Sequence, residues 1–232
     1  SKRMASVRKA EHAGSWYSNN KQQLNATLDS YLNNATTVEK GTARVKGLIG
    51  PHAGYRYSGQ TCAYTYKNID PSGVKTVFVL GPSHHLAMNN ECGLSKADIC
   101  ETPVGNLKVN QTIQRDLVKK NRSLFTYVDS MADEEDEHSL EMHFPFITKT
   151  FDVNQIDIVP IMVGHLSPQT AKALGTILSQ YLDDPQYFIV ISSDFCHWGK
   201  RFGYTFYDEN QGEIWESIKS LDLLGVEYIS EL

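Results

Sequence analysis

Short apolar runs interrupt a largely polar chain at Val45–Ile49, Val74–Leu80, Ile156–Val163 and Phe188–Ile191. None of them alternates with polar residues, which predicts β-strands covered on both faces. A different spacing marks the predicted helices. Leu24, Leu28 and Leu32 recur every fourth residue within Gln22–Asn33, and Leu174, Ile177, Leu178, Tyr181 and Leu182 form a stripe within Ser167–Leu182. Ser167 and Pro168 supply an N-cap and a first-turn proline for the second helix. A third helix is expected over Glu213–Leu224, with Ile214, Ile218, Leu221 and Leu224 on one face and Gly225 as its stop. Buried strands separated by helical stretches imply an α/β fold with a mainly parallel central sheet flanked by helices. No repeat or linker divides the pattern, so residues 1–232 are expected to form a single domain.

Each predicted strand runs into a turn that carries a histidine. The four sequences are Gly50-Pro51-His52, Gly81-Pro82-Ser83-His84-His85, Gly164-His165 and Ser192-Ser193-Asp194-Phe195-Cys196-His197. Parallel sheets bind ligands beyond the carboxyl ends of their strands, so histidines far apart in sequence can converge there. Imidazole is a common metal ligand near neutral pH, and two such ligands with a carboxylate or thiolate describe a non-haem iron, copper or catalytic zinc site. Asp194 and His197, three residues apart, suit an acid–base pair, although Asp194 could equally cap the next helix. The Ser192-Ser193 turn lacks the G-x-S-x-G elbow of serine hydrolases.

Composition narrows the function classes. The chain of 232 residues is 41% hydrophobic with a formal net charge of −5, and no basic stripe marks a phosphate-binding face. Nucleic acid is therefore not an expected partner. No apolar run approaches the roughly 20 residues needed to span a bilayer, and the N-terminal Ser1-Lys2-Arg3-Met4 does not lead into the apolar segment of a secretory signal. Four cysteines without zinc-finger spacing point to a reducing compartment, cytoplasmic and in part nuclear.

Two further segments stand out. The acidic run Asp133–Glu137 reads as a solvated loop, and the following His138 and His143 are five apart, a poor spacing for two ligands on one helix. Either can still project into the pocket. Trp16, in Glu11-His12-Ala13-Gly14-Ser15-Trp16-Tyr17, suits a core anchor or a pocket wall.

Taken in order, His12–Tyr17, Pro51–Tyr55, Gly81–His85, Asp136–His143 and Ser192–Gly199 resemble the motifs of the Memo family, named for a link to receptor-driven cell motility. The resemblance covers nearly the whole chain. It implies the fold of class III, LigB-type extradiol dioxygenases, with His52 and His84 as metal ligands, His197 in the acid–base place and Asp194 beside it. A C-terminal cysteine completes the family's iron or copper site; the matching segment is absent from this sequence, which is expected to be either a piece of a longer chain or one lacking the third ligand, so the resemblance assigns only His52 and His84. A softer cysteine ligand favours copper and redox cycling over ring-opening chemistry.

The function implied is a metal-binding protein in signalling to the cytoskeleton, cell motility and invasive growth, with metal-dependent redox activity as the enzymatic expectation. The alternative is a non-enzymatic adaptor that holds a phosphorylated peptide or signalling protein in the same pocket, with Trp16, Tyr57, His85 and His143 in its lining. A zinc hydrolase is a weaker third reading.

Overall fold

The computed structural model describes residues 4–38 and 44–231; the basic Ser1-Lys2-Arg3 of the sequence lies outside them. The chain forms two compact units, one ending at Ser193 and one beginning at Asp194.

In chain order the first unit contains β1 (Val7–Arg8), α1 (Lys21–Asn34), β2 (Gly47–Gly50), α2 (Tyr55–Tyr66), β3 (Thr76–Pro82), β4 (Cys92–Leu94), β5 (Ile99–Cys100) and β6 (Leu107–Lys108). It continues with α3 (Gln111–Lys120), β7 (Phe125–Tyr127), α4 (Met131–Asp136), α5 (His138–Glu141), α6 (Phe144–Thr150), β8 (Asp157–Val163), α7 (Pro168–Leu182) and β9 (Tyr187–Ser192). The central sheet has six strands in the order β2-β9-β3-β8-β4-β7. All its pairings are parallel except β8 with β4. Two residues each from β1, β5 and β6 make a second, three-stranded sheet.

The α/β architecture is the one expected. All four expected strands are present within a few residues of their expected limits, as β2, β3, β8 and β9. Their unbroken apolar character has a direct cause. Val77 and Val79 of β3 pack into one cluster with Leu24, Leu28 and Phe146, while Phe78 and Leu80 pack on the opposite face with Leu174 and Leu178. Helices therefore cover both sides of the sheet. The N-caps are equally direct: Ser167 Oγ accepts from Thr170 N at 3.2 Å, and Asn20 Oδ1 accepts from Gln22 N and Gln23 N at 3.0 Å.

Topology then aligns the strand ends. β9 lies between β2 and β3 and runs parallel to both, with Gly50 opposite Ser192 and Leu80 opposite Ile191. The turns after β2 and β3 therefore emerge on the same side as the end of β9. His52, Ser192 and His84 come from three adjacent strands.

The second unit carries two short 3-10 turns (Lys200–Phe202 and Glu209–Gln211) and α8 (Ile214–Ser230). This helix continues through Gly225 instead of stopping there. A side chain at Gly225 would meet the Phe195 ring at 3.3 Å, so the glycine serves close approach rather than termination. Tyr204, Phe206, Leu221 and Leu224 line a cleft of about 540 Å³ within this unit. No helix among the described residues is long and apolar enough to cross a membrane.

Candidate metal centre

Arg8 organises the acidic run. Buried at the end of β1, it donates from Nε to the Glu134 carbonyl at 3.1 Å, from Nη2 to the Glu137 carbonyl at 2.8 Å and from Nη1 to Glu141 Oε2 at 2.8 Å. The run is consequently not a solvated loop. Glu134 and Glu137 are buried, because protein donors take the place of water: Ser95 Oγ and Lys96 N on the Glu134 carboxylate, and the main-chain and ring N–H groups of His84 with Ser139 N on that of Glu137.

The short helix α5 is seated on the strand ends through Ser139. Its Oγ donates to the Pro82 carbonyl of β3 at 2.8 Å, and its own carbonyl accepts from Ser192 Oγ of β9 at 2.7 Å. Gly81 is what permits the fit, since a Cβ there would lie 2.5 Å from Ser139 Oγ and 3.0 Å from Leu140 Cδ2. This contact delivers His138, the first residue of α5, to the histidines that follow β2 and β3.

His52, His84 and His138 each offer a ring nitrogen, and these nitrogens all lie within 4.8 Å of one another. The His84 and His138 rings stack at 4.3 Å, while His52 meets them nearly edge-on at 5.3 and 5.5 Å. His52 is buried, the His138 side chain is 14% exposed and that of His84 is 37% exposed. The cluster therefore opens on the His84 side.

Hydrogen bonds set the tautomers of two of the rings. Ser192 Oγ gives its proton to the Ser139 carbonyl, so at 2.8 Å it accepts from His52 Nδ1–H. Glu137 accepts from His84 Nδ1–H at 2.8 Å, from the His84 main-chain N–H at 2.6 Å and from Ser139 N–H at 2.8 Å. With the proton on Nδ1, the lone pair of each ring resides on Nε2, the arrangement in which a partner group orients a histidine for a metal ion. Burial works against the charge on Glu137, but the donors from His84 and Ser139 prevail and bring its carboxyl down to about 2. Burial, reinforced by the neighbouring His84, pushes His138 down to about 4 and keeps its ring neutral at pH 7. Three imidazoles, one of them neutral by burial and two with directed lone pairs, suit a borderline metal ion such as zinc, copper or iron.

The remaining expected residues fall in different places. Trp16 stacks on His138 at 4.4 Å, so it does line the cluster, and His85 lies 6.5 Å from the same ring. His143 is fully buried; Tyr66 Oη donates to its Nδ1 at 3.0 Å, and its Nε2 donates to the Gly50 carbonyl at 3.2 Å. Tyr57 is 78% exposed on α2, with the Arg56 guanidinium 5.8 Å from its ring. Asp194 and His197 belong to the second unit, where His197 Nε2 lies 3.4 Å from Asp194 Oδ2.

Sequence reasoning passed over His138 because it was weighed against His143 on one helix. The useful signal was the pair of glutamates flanking it, Glu137 and Glu141, four residues apart on either side of a histidine.

An α/β unit that gathers three histidines beyond the ends of adjacent parallel strands, with the ring protons of two of them fixed from behind, defines a class of protein able to hold a metal ion. The chain belongs to the Memo family: residues 8–232 match the family described as Memo-like protein. It is similar to the protein MEMO1 of Xenopus tropicalis, 46% identical over 230 residues covering 98% of this chain and 75% of that protein. MEMO1 of Homo sapiens is 43% identical over 227 residues, 97% of this chain and 74% of the relative. The memo-1 homologue of Caenorhabditis elegans is 42% identical over 227 residues and is covered to 63% of its length.

Proposed function

We propose that the protein binds one iron or copper ion through His52, His84 and His138 and uses it in redox chemistry that serves signalling to the cytoskeleton and cell motility. The observation that carries this reading is the set of three ring nitrogens within 4.8 Å, two of them on rings whose Nδ1 protons are engaged from behind. A bound ion would supply a redox-active Lewis acid with positions left open for a small ligand. Glu137 and Ser192 hold the rings in place before binding, so little side-chain ordering remains to oppose it. Trp16 walls the cluster on the His138 side and shields it from water. The reading assigns proton transfer to His197, with Asp194 as its carboxylate partner, as the family resemblance implies. Its setting is the cytoplasm and nucleus, and a signalling protein is the partner class.

Metal analysis after anaerobic loading with Fe(II), Cu(I) or Zn(II) tests the assignment. One ion per chain is expected, lost in His52→Ala with His84→Ala and weakened in His138→Ala. Uptake that survives all three substitutions would remove the site. Oxygen consumption by the iron or copper form, absent from the double variant, tests the redox part separately.

A further inference from the structure

Glu137 is not the only glutamate that grips a histidine at two points. Four residues on, Glu141 accepts from the main-chain N–H of His12 at 2.9 Å and from its ring Nδ1 at 3.0 Å, repeating what Glu137 does to His84. The second grip is the fuller one. Arg8 Nη1 and Tyr17 Oη each add a donor at 2.8 Å, so four hydrogen bonds converge on one fully buried carboxylate and saturate it.

This anchoring fixes the His12 ring with its proton on Nδ1 and its acceptor lone pair on Nε2. No protein group among the described residues hydrogen-bonds that nitrogen, and the other contacts of the ring are with rings. Trp16 meets it edge-on at 5.4 Å, and His138 lies 5.9 Å away. The side chain is only 12% exposed. Among the described residues Thr150 Oγ1 alone is a sealed side-chain polar atom without a partner, so His12 Nε2 stays within reach of water or a ligand. Glu141, itself held by Arg8 and Tyr17, keeps the ring in that orientation. His12 also lies outside the group of three nitrogens, so it is not a fourth member of that set.

We infer that His12 is the hydrogen-bond acceptor for a ligand bound at the three-histidine centre. The ligand class is a small metal-binding molecule that carries an N–H or O–H donor on the side away from its metal-binding atom. Trp16 supplies the flat wall beside it, and Glu141 acts through His12 as a positioning residue. The inference rests on the metal-binding reading above and extends it from the ion to the ion's ligand.

Imidazole and N-methylimidazole are suitable probes, since each offers one ring nitrogen to a metal but only imidazole carries an outward N–H. The full chain is loaded with Co(II), and each azole is titrated by visible absorption into wild type, His12→Phe and His12→Gln, with the cobalt affinity of every variant measured alongside. His12→Phe retains a ring and gives the baseline for the bulk of the methyl group. Relative to that baseline, wild type should prefer imidazole by about five- to tenfold, the worth of one net hydrogen bond. His12→Gln, which keeps an acceptor near the position of Nε2, should restore part of the preference.

A readout independent of metal is ¹⁵N NMR of histidine-labelled, metal-free chain, in which His12 should be the Nδ1-protonated tautomer. The same imidazole preference in wild type and His12→Phe, an Nε2-protonated His12, or failure of both azoles to perturb bound cobalt would each overturn the inference and leave the metal site standing. Failure of wild type to bind cobalt would overturn both.

Discussion

Replacing Glu137 by glutamine tests whether a buried carboxylate, rather than steric fit, holds the centre together. The substitution keeps the shape and removes the charge. In the wild type Oε1 receives two donors, His84 Nδ1–H and Ser139 N–H, while Oε2 receives the His84 main-chain N–H. A glutamine has one acceptor oxygen. If its amide nitrogen takes the place of Oε1 it confronts two donors, and if it takes that of Oε2 it confronts one, so the second orientation is the less costly. It still loses a charge-assisted hydrogen bond, worth about 1.5–3 kcal/mol, and sets two donors against each other.

The titration of Glu137 provides a second route to the magnitude. Its carboxyl is lowered to about 2 from an ordinary value near 4.5, which corresponds to roughly 3 kcal/mol of stability. The side chain is 1% exposed, so little is lost to solvent screening. The two routes agree, and Glu137→Gln should lower the unfolding free energy of metal-free protein by about 3 kcal/mol at pH 7. Because the folded-state pKa is depressed, this stability is fully present above about pH 4.5 and is lost as pH falls toward 2. Urea titrations followed by circular dichroism at pH 7 and pH 3.5 measure the gap between the two proteins, which should narrow at the lower pH. A gap below about 1 kcal/mol at pH 7, or one that does not change with pH, would refute the reasoning. The same variant should bind zinc about 10–100-fold more weakly in a chelator competition.

Ser192→Ala removes both the acceptor of His52 Nδ1–H and the donor to the Ser139 carbonyl; it should cost about 2 kcal/mol in the same assay, with both His52 tautomers seen by ¹⁵N NMR. Gly81→Ala drives a Cβ to within 2.5 Å of Ser139 Oγ and should destabilise by about 1–3 kcal/mol while weakening zinc binding, because α5 must lift away from β3; an unchanged thermal midpoint would contradict that packing. His138 is lowered by burial to about 4 from 6.5, so the unfolded chain binds a proton between these values that the folded chain does not. Metal-free protein should lose stability as pH falls from about 6.5 to 4, and His138→Gln should abolish that slope; a slope that survives in the variant assigns it to another group.

The central strands and long helices were readable in the chain because burial on both faces and a four-residue leucine repeat are local signals. β4, β5, β6 and β7 span only two or three residues each, too few to show a period, and they exist because neighbouring segments complete them. The same divide runs through the centre. His52 and His84 could be found because each follows an apolar strand at a turn. His138 follows an acidic run, and the main chain of that run is held at Glu134 and Glu137, its two buried members, by Arg8, more than a hundred residues earlier in the chain. No local reading of Asp133–Glu137 contains that arginine. Gly225 shows the opposite error, a local stop signal overridden by helix continuation and the nearby Phe195 ring.

The seating of α5 on the ends of β3 and β9 also ties the centre to cooperative unfolding. His52, His84 and His138 come from widely separated parts of the chain and converge only while the Ser139 contacts to Pro82 and Ser192 persist. An unfolded chain offers no comparable set of nitrogens, so whatever free energy an ion gains on binding reappears as resistance to global unfolding. At a free-ion concentration one hundred times the dissociation constant that amounts to about 2.7 kcal/mol. The apparent melting temperature would then track metal supply, and a cell depleted of the ion would hold a more easily degraded form of the protein.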